Sequence, residues 1–115
     1  MPQYVFLLHE SATFGEGLSA SDIQAIIKKY KTWSQEMAAK GHLRGGQKLQ
    51  DGTGRVMRSP GGKLEILDGP YSESKEVIGG FFIVEAANYA QAVELAKGCP
   101  HLEYGTMELR EVEPT

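Results

Sequence analysis

The stretch DGPYSESKE, Asp68 to Glu76, carries four charges, one aromatic ring and a Gly-Pro pair between two apolar runs. A carboxylate held beside a ring and hydroxyls can move a proton. Asp68 and Glu76 are therefore candidate acid-base groups, and Tyr71 is a candidate ring for a ligand to pack on. The same residues also suit an ordered turn. Asp68 can accept from backbone amides, Gly69 is free to take positive φ, and Pro70 fixes its own. Exposed pairing among Glu73, Lys75 and Glu76 contributes under about 1 kcal/mol per pair, so the structural-turn reading stands beside the active-site one.

His101 is the third candidate for acid-base chemistry, because imidazole exchanges protons near neutral pH. It follows Cys99-Pro100 and precedes Glu103-Tyr104. It acts as an acid or base if it faces a pocket, and is otherwise a surface turn residue. His9, His42 and His101 are too scattered for the i, i+4 spacing that places two ligands on one metal, so no metal site is expected. His42 follows the end of a helix, where a cation suits the dipole and the role is structural. Cys99 has no adjacent activating base and fits a small buried apolar position; as the single cysteine it forms no internal disulfide. GEGLSA at Gly15 to Ala20 superficially matches a dinucleotide fingerprint. Six residues, His9 to Phe14, separate it from the strand where the fingerprint needs a tight turn, so the segment reads as a flexible loop and no cofactor is expected.

The elements that must position these groups follow from periodicity. Gln3 to His9 is an extended run centred on Tyr4, Val5 and Phe6. Ser19 to Gly41 places Ile23, Ile26, Ile27, Tyr30, Trp33 and Met37 on one helical face. Ser21 with Gln24 fits a capping box, and Gly41 stands where a helix C-cap belongs. Tyr30 and Trp33 on that face suit a packed core, and their polar tips also make them candidates to line a ligand cavity. His42 to Leu49 is extended, Gly54 to Arg58 and Lys63 to Leu67 flank the turn SPGG, and Val77 to Ala86 is the strongest strand. Asn88 to Lys97 is a second helix with Asn88 and Gln91 as cap and partner, and Tyr104 to Val112 a last strand. The order predicts one α+β domain over residues 1–115, a ferredoxin-like βαββαβ arrangement with an added β-hairpin.

Alternation gives Val77 to Ala86 no polar side: Val77, Phe81 and Ile83 oppose Ile78, Phe82 and Val84. Tyr4, Phe6 and Leu8 likewise oppose Val5 and Leu7. In this topology both helices lie on one face of the sheet. Each large side chain left wet on the other forgoes about 1.5 to 3 kcal/mol, so a second copy of the chain is the expected cover, giving a homodimer with an apolar space between or beside the sheets. The net charge of -3 argues against nucleic acid, and Lys28, Lys29 and Lys31 share their helix with Asp22 and Glu36 as a solvated face. The longest apolar run, from Val77 to Ala87, is far short of the roughly 20 residues a bilayer needs. The opening MPQYVFLLHE lacks the basic region of a signal peptide, which predicts a cytoplasmic protein.

DGPYSESKE resembles the DGPF(A)ETKE signature of the DGPF family within the YCII-related superfamily. The resemblance extends through the helix with Tyr30, Trp33 and Gly41, the segment Gly45-Gly46-x-x-Leu49, VIGGFF, CPHLEYG and the closing MELR. It implies a ferredoxin-like domain pairing as a dimeric α+β barrel in a bacterial cytoplasmic protein. It also links some relatives to alternative sigma factors and a few superfamily members to chlorinated aromatic rings. In the YCII-like branch a first-helix histidine paired with an aspartate is the proposed acid-base site. That position, eleven residues before the helix-ending glycine, is Tyr30 here, so the dyad does not carry over. Tyr71 stands for the signature's phenylalanine and Ser74 for its threonine.

These readings converge on a small-molecule pocket walled by the first helix and the sheet and rimmed by DGPYSESKE. Metal-independent acid-base chemistry on an apolar or aromatic compound would use Asp68, Glu76 or His101, with Tyr30, Trp33 and Tyr71 shaping the cavity. The alternatives are a non-enzymatic regulatory partner, for example of a transcription factor, and a purely structural dimerisation module.

Overall fold

A computed structural model describes residues 1–69 and 76–115. Its elements are β1 (Gln3–Ser11), α1 (Ala20–Ala39), β2 (Leu43–Lys48), β3 (Arg55–Arg58), β4 (Glu65–Asp68), β5 (Glu76–Glu85), α2 (Tyr89–Lys97) and β6 (Thr106–Glu111). Short 3-10 turns occupy Pro60–Gly62 and Pro100–Glu103. The main sheet runs in the order β2-β5-β1-β6 with every pair antiparallel, and β3 and β4 form a separate hairpin. This α+β arrangement is compatible with a ferredoxin-like fold carrying an inserted hairpin. Among the described residues no helix is long and apolar enough to cross a membrane.

Local chemistry fixes the helix ends. α1 starts two residues earlier than the expected Ser21–Gln24 box. Ser19 Oγ accepts from the Asp22 amide at 3.1 Å, and Asp22 Oδ2 accepts from the Ser19 amide at 3.1 Å. Asp22 satisfies one otherwise orphaned N–H and also places a negative charge at the positive end of the helix. At the other end Gly41 takes φ +80, and the Gly41 and His42 amides donate to Ala38 O and Met37 O. That paired closure requires a left-handed residue, which glycine adopts without penalty. α2 is capped as expected: Asn88 Oδ1 accepts from the Gln91 amide at 2.9 Å, and Gln91 Oε1 accepts from the Ala87 amide at 2.6 Å.

The strict alternation of β1 decides where the core sits. Tyr4, Phe6, Leu8 and Glu10 are buried, while Gln3, Val5, Leu7 and His9 are half-buried. Tyr4 and Phe6 join Val84 of β5, Trp33 and Met37 of α1, and Ala92 and Ala96 of α2 in one core. Both helices therefore cover the same face. Val5 pairs with Ile83 and Leu7 with Phe81 on the opposite face, outside that core.

The apolar stripe of α1 is not packed evenly. Trp33 meets Phe82 edge to face with centroids 4.9 Å apart, and Met37 is buried. Ile23 and Ile27, on the same stripe, remain 41% and 51% exposed. Only the C-terminal half of α1 is seated on the sheet, and its N-terminal half overhangs it. Phe6→Ala, at a fully buried position, should therefore cost about 3–5 kcal/mol, whereas Ile27→Ala should change stability by no more than about 0.5 kcal/mol; urea unfolding of both variants checks this.

Candidate functional site

The overhang of α1 leaves a cavity of about 490 Å³ between its N-terminal half and the sheet. Its walls are apolar, with Leu8, Phe82, Ile23, Ile26 and Ile27 among them, and Phe14 contributes a ring from the loop after β1. Glu10, Tyr30 and His101 supply its buried or half-buried polar side chains, and Gln47, Lys48 and Asp51 also line it. A few polar groups in an apolar concavity of this size are the usual make-up of a small-molecule site. A larger, shallow depression of about 790 Å³ lies on another side of α1. It gathers exposed charges such as Lys28, Glu36 and Lys97, which makes it a solvated surface rather than a shaped site.

His101 is 2% exposed, so it is not the surface turn residue that its position beside proline suggested. The Pro100–Glu103 turn tucks it beneath the sheet edge, where both ring nitrogens are engaged. Nε2 lies 2.8 Å from the His9 carbonyl oxygen, and Nδ1 lies 2.8 Å from the Tyr30 hydroxyl. A carbonyl can only accept, so Nε2 carries a proton and donates it. In the neutral ring Nδ1 then accepts from the Tyr30 O–H. Burial, aided by the charges of Cys99, Glu10, Tyr104 and Glu103, raises the Tyr30 pKa and keeps it a phenol.

Glu10 follows the inward register of β1. It is 7% exposed, and among the described residues its carboxylate has no hydrogen-bond or ion-pair partner. A β-bulge makes room for it: the β1–β5 register shifts between Leu8 and His9, and Gly79 is the extra residue. A Cβ on Gly79 would overlap Glu10 Oε1, so any larger residue there would move the carboxylate. Burial raises the Glu10 pKa above 4.5; Lys48 opposes the rise, Asp51 reinforces it, and His101 opposes it weakly. Lys48 is itself engaged, donating to Asp51 Oδ1 at 2.8 Å and to the Leu49 carbonyl at 2.6 Å.

Of the residues singled out from the sequence, Tyr30 and His101 are brought together at the cavity. Trp33 lies in the core beside it. Asp68 ends β4 with its side chain 94% exposed, 3.6 Å from Arg55, and does not line the cavity. Glu76 opens β5 at an exposed position and does not line it either. Tyr71 and the rest of the loop from Pro70 to Lys75 lie outside the described residues. His42 Nδ1 donates to the Glu85 carbonyl at 2.9 Å, a structural link between β2 and β5. Cys99 is buried, and burial pushes its thiol up to about 11, opposed by a backbone hydrogen bond at His101. Among the described residues no three His, Cys, Asp or Glu side chains come together as a metal-binding group. Glu10 was missed, although its place in the alternation Tyr4, Phe6, Leu8 already puts a carboxylate on an apolar face.

The model of the YCII-related domain matches residues 3–115. The chain belongs to the YCII-related domain family. Among curated proteins none matches it significantly. Family membership therefore spans the whole site, from Glu10 on β1 to His101 before β6.

Two outcomes follow from this geometry. Glu10 titrates near 4.5 in the unfolded chain and above that in the fold. Between those values the native state holds the extra proton, so stability falls as pH rises through the window and stays lower above it. Glu10→Gln should remove that loss: wild type and variant should match in stability well below 4.5, and the variant should be the more stable at about pH 7.5, as read from urea unfolding at each pH. Tyr30→Phe should cost about 1–3 kcal/mol by leaving His101 Nδ1 without its donor. Nitrogen NMR of the wild type should show the proton on Nε2.

Proposed function

We propose that the protein is a homodimeric, DGPF-type member of its family, bacterial and cytoplasmic, that binds an apolar or aromatic small molecule in the cavity under α1 and performs metal-independent acid-base chemistry there. The observation that carries this reading is the cavity of about 490 Å³ with Tyr30 and His101 hydrogen-bonded at its edge. An O–H or N–H of a bound molecule can pass its proton to the Tyr30 oxygen while Tyr30 passes its own to His101 Nδ1. The resulting imidazolium keeps its Nε2–H bond to the His9 carbonyl, and the Glu10 carboxylate lies close enough to favour the charge.

Two features support the homodimer. Val5, Leu7, Phe81 and Ile83 form an apolar strip on the sheet face away from both helices. Met57, Leu64 and Ile66, on or beside the β3–β4 hairpin, are 64%, 57% and 59% exposed, and an isolated two-stranded hairpin has little stability of its own. A second copy would cover both. The regulatory-partner reading draws on the same exposed surfaces. The cavity favours the small-molecule reading, because neither a regulatory surface nor a structural dimer has use for it.

Phenol and toluene test the site. Phenol should shift the methyl resonances of Ile23, Ile26 and Ile27, and Tyr30→Phe should weaken phenol several-fold while leaving toluene unchanged. Shifts confined to other methyls would overturn the reading. Sedimentation tests the assembly: a dimer at micromolar concentration is expected, with Leu7→Asp giving a folded monomer.

A further inference from the structure

We infer that Glu10 is the anchor for a cationic nitrogen, so that the cavity takes a hydrophobic amine, an apolar or aromatic body with one ammonium group. This rests on the small-molecule reading above and names the substrate class it leaves open.

Glu10 turns its carboxylate to the cavity and not to a neighbouring side chain. A carboxylate drawn partly out of water favours a donor or a positive charge beside it. Glu10 is 93% removed from solvent, faces the cavity, and has no hydrogen-bond or ion-pair partner among the described residues. The carboxylate lies against Gly79, in the space a Cβ there would take. Three of the nearby side chains direct hydrogen bonds to other groups. Lys48 is held by Asp51 and the Leu49 carbonyl, Tyr30 donates to His101, and His101 Nε2 donates to His9. A donor on an occupant of the cavity would meet the carboxylate directly, since Glu10 lines that space.

Charge then selects among donors. Among the described residues that line the cavity, the carboxylates are Glu10 and Asp51 against one ammonium, Lys48, and both nitrogens of His101 are engaged. An occupant with one positive charge balances the set, whereas an anion would add to the excess. The rings of Phe14, Tyr30 and Phe82 line the same space, and aromatic faces attract cations. The isoleucines of α1 accept the apolar body.

Binding of 2-phenylethylamine, 2-phenylethanol and 3-phenylpropionate, followed at the cavity methyls and by calorimetry, tests this. The amine should bind at least tenfold more tightly than the alcohol, with the carboxylate weakest. Glu10→Gln, which keeps the shape and removes the charge, should bring amine and alcohol within about twofold of each other. An alcohol that binds wild type as tightly as the amine overturns the inference and leaves the small-molecule reading standing. So does an amine preference that survives in Glu10→Gln. If none of the three perturbs a cavity methyl, both fail together.

Discussion

The imidazole of His101 is the joint on which the site depends. It lies fully within the protein, takes a hydrogen bond from Tyr30 of α1 and gives one to the backbone of β1. Trp33 and Met37 seat the C-terminal half of α1 on the sheet by apolar contact. The Tyr30–His101 bond lies one turn before Trp33 and marks where packed core gives way to cavity. Hydrogen bonds have fixed lengths and directions where apolar contacts do not. A polar joint at this boundary therefore holds the helix at a set height, and the isoleucines beyond it stay off the sheet.

The other polar element works in the opposite sense. Glu10 weakens the fold at neutral pH, because burial disfavours its charged form by more than Lys48 offsets, and no described residue hydrogen-bonds to it. The bulge at Gly79 accommodates the carboxylate without satisfying it. Carboxylates placed in an apolar cavity wall are expected at functional sites, where stability is given up for binding. The two features complement each other: one keeps the cavity open and the other gives it a chemical preference.

Much of this was legible in the residues. Runs of β-favouring apolar residues located β1 and β5, and the 3.6-residue stripe located α1. The Asn88–Gln91 pair marked the start of α2, and Gly41 marked the end of α1. The Ser19 cap was displaced because Asp22 serves the box as well as a longer acid would, and the Ser21–Gln24 spacing imitates it. The uneven packing of α1 was hidden, since a stripe that walls a cavity has the same periodicity as one that fills a core. The burial of His101 was hidden too. A 3-10 turn of four residues leaves no periodic pattern, and Pro100 beside it has the composition of a surface loop. Asp68 drew attention by the density of charge around it, yet it ends a hairpin strand in solvent. Glu10 was open to view in the register of its own strand.

Glu10 is a cavity-lining carboxylate with no hydrogen-bond or ion-pair partner among the described residues, and its charge gives the site its preference. Carbon NMR of its side-chain carboxyl, followed through a pH titration of the ligand-free protein, reads this directly. The midpoint should lie above 4.5 and move down when a cationic amine is added. A midpoint at or below 4.5, indifferent to amine, would mean that the carboxylate is already hydrated or paired, and the cavity would lose the group that gives it a preference.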